Sequence, residues 1–150
     1  MTILESIQAL IEFTFDNPLN ILKRIDLCKV DEQLAQKIRK ISGLETIDYV
    51  ISLDNYAILH ILNNHSATNE DDMKLVGVEK QDFNKLVSII FDADKIEYKG
   101  KSWRTGKDLL LFTKVVENMY EVVLEVRTVT KRGKQNRLAI TTYYIKKKKK

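Results

Sequence analysis

Residues 109–145 read LLLFTKVVENMYEVVLEVRTVTKRGKQNRLAITTYYI. Apolar and polar side chains alternate along this stretch with the period of a half-buried strand. Three long strands are expected: Leu109–Val116, Tyr120–Thr130 and Arg137–Ile145. Glu117-Asn118 supplies the first turn, and Lys131–Gln135, with Gly133, a basic second one. On the middle strand Tyr120, Val122, Leu124, Val126 and Thr128 make a largely apolar face, suited to cover by helices. Glu121, Val123, Glu125 and Arg127 make the other, where a phosphate has room to lie. Plain alternation on the last strand puts Leu138, Ile140, Thr142 and Tyr144 on one face, and Arg137, Ala139, Thr141 and Tyr143 on the other.

Just upstream, Ile96–Tyr98 and Lys101–Arg104 flank Gly100 and predict a hairpin. Before Lys95 the period is helical. Ile3, Ile7, Leu10, Ile11 and Phe13 mark a helix over 3–14, which Asp16-Asn17-Pro18 breaks. Pro18 can open a second short helix through Leu22. Asp31 reads as the N-cap of Glu32–Ile41, and Gly43 as its stop. Ile47–Leu53 is a weak strand, and Asp54 can cap a helix Asn55–Asn64 with a stripe of Ala57, Ile58 and Ile61. Ser66–Asn69 reads as a turn, with Thr68 or Asn69 capping an acidic turn Glu70–Lys74. A last helix spans Glu79–Ile90 and stops at Asp92-Ala93-Asp94. Helices ahead of an antiparallel sheet of about four strands give an α+β fold. The expected organisation is a helical extension or docking segment over 1–45, an α+β domain over 46–145 and a lysine tail over 146–150.

Charge divides along the same line. Residues 1–95 hold 10 Lys/Arg against 16 Asp/Glu, a net −6; residues 96–150 hold 15 against 5, a net +10. A basic half attracts polyanions, nucleic acid among them, although a lopsided surface also serves solubility. The single Cys28 excludes an internal disulfide and a multi-cysteine zinc site. No apolar run is long enough to span a membrane, and MTILESIQALIEF lacks the basic start of a signal peptide. A cytoplasmic site of action is expected, with any delivery route left open.

His60 and His65, in LHILNNHS, are the only histidines. Histidine serves as acid or base near neutral pH. Their i,i+5 spacing sets them roughly 140° apart around a helix, so they meet on one ligand only where the helix ends and the chain turns. The spacing also fails the i,i+4 zinc pattern, and no metal or other cofactor is expected. Lys114, a charge within LLLFTKVV, needs a partner or a ligand if buried. Trp103 in KGKSWRTGK can stack on a base or anchor a hairpin, with Lys101, Arg104 and Lys107 near a nucleic-acid backbone. Lys131, Arg132 and Lys134 make a second cationic tip. Glu125 beside Arg127 reads as a surface ion pair that, alone, would repel phosphate.

HILNNH, the helix ending in FDAD, the strand YEVVLEVR and the closing RLAITTYYI resemble the barnase–EndoU–colicin D–RelE superfamily of small RNases, nearest to its phage-associated and polymorphic-toxin branches. The resemblance covers roughly 47–145. It implies metal-independent transesterification of RNA to a 2′,3′-cyclic phosphate and a 5′-hydroxyl. His60 or His65 would be the base, with the other assisting as acid or phosphate ligand. Lys114 or Arg127 would stabilise the transition state. Thr142 and Tyr144, or Thr141 and Tyr143 on the shifted phase, would bind phosphate or stack on a base. An immunity protein or antitoxin is the implied protein partner. The other readings are a non-catalytic nucleic-acid-binding or phage accessory protein, and a module that binds a protein partner.

Overall fold

The structure is a computed structural model that describes residues 2–16, 21–65, 75–129 and 134–147, with only the backbone of His65. The expected short helix at Pro18 falls mostly outside them, and the Ser66–Asn69 turn and the acidic turn Glu70–Lys74 wholly so. Among the described residues four helices, α1 (Ile3–Asp16), α2 (Glu32–Ser42), α3 (Asn55–His65) and α4 (Leu86–Phe91), accompany seven strands. These are β1 (Arg24–Lys29), β2 (Val50–Asp54), β3 (Leu75–Val76), β4 (Lys95–Lys101), β5 (Asp108–Val115), β6 (Asn118–Arg127) and β7 (Arg137–Lys147).

Local sequence explains the helix ends. Asp31 accepts a hydrogen bond from the Leu34 N–H at 2.8 Å and starts α2. Gly43, at φ +77°, ends it by donating its N–H to the Arg39 carbonyl, in the left-handed conformation that glycine adopts without strain. Asp54 likewise accepts from the Ala57 N–H at 2.7 Å at the head of α3. Asp31→Ala should lower the unfolding free energy by about 1 kcal/mol, read from the urea midpoint at unchanged m-value. The expected helix over 79–90 divides into a 3-10 turn, Lys80–Lys85, and α4.

The sheet runs β1-β2-β7-β6-β5-β4, with β3 on the far end of β7. It is mixed and larger than the antiparallel sheet of about four strands expected. β2 joins β7 in parallel register, Ile51 opposite Leu138. β1 and β3 add the extra edges: in β1 the alternation covers only residues 24–27 and is broken by a register shift between Asp26 and Cys28, and β3 is two residues long. The first 45 residues therefore include a strand, and α1 and α2 share the common core through Ile7, Leu10, Leu34 and Ile38. The lysine tail is also partly strand, since β7 continues to Lys147 and Lys146 Nζ lies 3.2 Å from Glu121.

Two irregularities position the site. Gly100, at φ +80°, lies at a register shift between Tyr98 and Lys101. It is a bulge within β4 rather than the hairpin turn expected there, and the turn falls at 102–107. A second shift lies in β7, where Val123 pairs Thr142 but Leu124 pairs Ile140. Thr141 is the extra residue, and its Oγ1 donates to the Val123 carbonyl at 3.2 Å. The phase inverts at this bulge. Leu138 and Ile140 face the core, as do Tyr143 and Ile145 beyond it. Thr142 and Tyr144 share the opposite face with their partners Val123 and Glu121.

Candidate active-site cleft

The β6 face carrying Glu121, Val123, Glu125 and Arg127 lies opposite the core face of Tyr120, Val122, Leu124 and Val126. A cleft of about 500 Å³ opens on it. Its floor is Leu109, Val123, Glu125, Arg127, Ile140, Thr141 and Thr142. One wall is the head of α3, with Asp54, Tyr56, Ala57 and His60; the other is the β4–β5 tip, Ser102–Thr105. The phase of α3 makes this possible. Ile58 and Ile61 are buried, so Tyr56 and His60, one turn apart, lie on a more exposed side.

Glu125 is 7 % exposed. Its Oε1 accepts from Arg127 Nε at 2.9 Å and its Oε2 from Thr105 Oγ1 at 3.2 Å. Burying a carboxylate is costly unless its oxygens are occupied and its charge is met, and here both conditions hold. The expectation that Glu125 would repel phosphate is thereby changed, because the Arg127 guanidinium shares its position. His60 is tied to its own helix, with the Asn64 side-chain amide 3.1 Å from Nδ1 and donating to the His60 carbonyl at 2.8 Å.

The structure brings His60, Arg127, Thr142, Trp103 and Arg104 to this cleft. Glu125, Thr105, Tyr56 and Asp54 join them without having been singled out as site residues. Glu125 had a legible signal, since it shares a strand face with Arg127. Lys114 lies elsewhere. Opposite Tyr120, it faces the helical side of β5, and its Nζ donates to the Asp92 carbonyl at 3.1 Å. A cation at the C-terminal end of α4 is well placed against the helix dipole. Tyr144 lies on the cleft side of the sheet but further along β7, paired with Glu121 rather than lining the cleft. Burial and the neighbouring Glu121 carboxylate raise its hydroxyl well above the usual tyrosine range.

The side chain of His65 is outside the described residues, as are Lys131 and Arg132. Lys134 is exposed just before β7. Lys101 is paired with Asp108 at 3.3 Å, and Lys107 is exposed at the tip. Cys28 is half-buried, and burial pushes its thiol up to about 11, so it is no nucleophile near neutrality. Among the described residues no three His, Cys, Asp or Glu side chains gather as a metal site. No described helix is long and apolar enough to cross a membrane.

A carboxylate, an imidazole, a guanidinium and a hydroxyl on one cleft are a set able to move protons and hold an anion. No curated protein and no solved structure matches the chain. A family model described as phage-Barnase-EndoU-ColicinE5/D-RelE like nuclease3 matches residues 28–150. That match extends over most of the chain and includes every described strand and helix of the cleft, and the chain belongs to this nuclease family.

Proposed function

We propose that the protein is a metal-independent, toxin-like endoribonuclease that cleaves RNA through its own 2′-hydroxyl, leaving a 2′,3′-cyclic phosphate and a 5′-hydroxyl. The observation that carries this reading is the presence of Glu125, Arg127, His60 and Thr142 on one cleft. Glu125 takes the 2′-hydroxyl proton as that oxygen attacks phosphorus. Protonated His60 gives a proton to the departing 5′-oxygen. Arg127 and Thr142 hold the phosphoryl oxygens as negative charge builds on them. Glu125 replaces one member of the histidine pair read from sequence, because it is the carboxylate beside the guanidinium. Arg104 on one wall, with Lys101 and Lys107 of the same tip and the cations Lys131, Arg132 and Lys134, steers and holds the RNA backbone. The toxin-like reading, supported by family membership, includes an immunity protein or antitoxin as the partner that silences the enzyme.

Incubation of the purified protein with total cellular RNA in excess EDTA tests this directly. The expected result is fragmentation with cyclic-phosphate ends, and no cleavage of DNA or of 2′-O-methyl RNA. Cleavage that EDTA abolishes, or that proceeds equally on DNA, rules out the proposed chemistry. No cleavage at all shifts the protein to a binding role in nucleic-acid or partner recognition.

A further inference from the structure

The tip between β4 and β5 is held as a closed turn. The Ser102 N–H donates to the Lys107 carbonyl at 2.8 Å, and the Gly106 N–H to the Ser102 carbonyl at 2.7 Å. Ser102 Oγ accepts from the Arg104 and Thr105 N–H groups at 3.2 and 3.3 Å. Gly106, at φ +73°, lets the chain double back. Trp103 rides on this turn 93 % exposed, a large aromatic surface left in water on the wall of the cleft. Its ring contact is the Arg104 guanidinium, 6.0 Å from the centroid, and Lys101 and Lys107 flank the same turn.

Thr105 fixes where this ring stands relative to the chemistry. Its Oγ1 accepts from the Lys107 N–H at 3.2 Å and donates to Glu125 Oε2 at 3.2 Å. Trp103 is two residues away, at most about 7 Å of chain. Trp103, Glu125 and Arg127 line one cleft, so a flat group on the indole shares it with whatever phosphate meets Glu125 and Arg127. The cations around the ring suit a polyanion, and a planar, solvent-facing aromatic suits a nucleobase.

We propose that Trp103 is a stacking platform for one unpaired base beside the reactive phosphate, which makes single-stranded RNA the substrate class of this cleft; the proposal rests on the endoribonuclease reading above. Within a duplex both faces of each base are covered by its neighbours, and only a splayed base offers a face to a side chain. Arg104 sits where it can contact the backbone of the same nucleotide, while Thr105 keeps the platform in register with Glu125.

Trp103 is the only tryptophan, so its fluorescence reports occupancy without reference to cleavage. The whole chain is titrated with a 2′-O-methyl oligoribonucleotide, which the proposed reaction cannot cut, as a single strand, as a blunt duplex and as an abasic strand. Saturable quenching by the single strand alone is expected. W103A should lose about 5- to 150-fold in affinity, and W103F should keep most of it. Equal quenching by the duplex or the abasic strand overturns the proposal, as does binding seen by filter retention without quenching, or unchanged affinity in W103A. Failure to bind any of the three also overturns it and leaves the exposed indole to a protein partner. Cleavage of the unmodified strand is scored separately. Cutting without quenching sinks the platform and leaves the nuclease standing; selective quenching without cutting supports the platform and sinks the reaction.

Discussion

Glu125→Gln should lower kcat on an RNA oligonucleotide by about 10²–10⁴-fold while the protein stays folded. Glutamine has the same shape: its amide oxygen can accept from Arg127 Nε, the donor 2.9 Å from Glu125 Oε1, and its amide N–H can donate to Thr105 Oγ1, which lies 3.2 Å from the other oxygen. It cannot take a proton from the 2′-hydroxyl. The substitution also removes a negative charge from the cleft floor, so KM for RNA should stay level or fall. The split between a collapsed kcat and a preserved KM is the signature of a base rather than of a binding group. A structural ion pair would give the reverse: a lower melting temperature, since the partly buried Arg127 loses its counter-charge, with kcat of the folded fraction almost unchanged. A kcat within twofold of the parent in a folded E125Q protein removes Glu125 from the reaction.

His60→Ala should cost a similar factor, about 10²–10⁴-fold in kcat on RNA, and the loss should depend on the leaving group. A 5′-alkoxide needs a proton as it departs, whereas an aryl oxide leaves without one. On a nucleoside 3′-aryl phosphodiester, His60→Ala should therefore recover most of the parent rate, while Glu125→Gln stays slow. This contrast separates acid from base without structural assumptions. His60 is exposed at the cleft and caps no helix, so stability should move little. An equal loss on both substrates would make His60 a binding or base residue and reverse the assigned roles. His65→Ala, measured alongside, should fall well short of His60→Ala; a matching loss would restore the two-histidine site.

Much of this was legible in particular residues. The even positions Tyr120, Val122, Leu124 and Val126 on β6 lie on the core face as their alternation requires, because one buried side enforces period two. Asp31 and Gly43 bound α2 because capping is a contact between residues near in sequence. Ala57, Ile58 and Ile61 set the phase of α3, and with it the side on which His60 stands. Arg127 and Glu125 were legible as an ion pair on one strand face, but the hydrogen bond from Thr105 to Glu125 was not, because Thr105 is twenty residues away.

The amino-acid sequence by itself determined the α+β class, the main helices, the core face of β6 and a short set of acid, base and cation candidates, since each of these depends on periodicity or contacts within a few residues. Tertiary structure alone decided the rest. The parallel union of β2 with β7 and the edge strands β1 and β3 rest on pairing between distant segments, for which the strands carry no local mark. The bulge at Thr141 turned Thr142 towards Glu125 and Tyr143 into the core, although simple alternation put Thr142 with Ile140. Lys114, equal to Arg127 as a candidate from sequence, was carried to the C-terminal end of α4 on the other side of the sheet. A one-residue register change reverses a side chain's face, and register is set by the partner strand rather than by the strand itself.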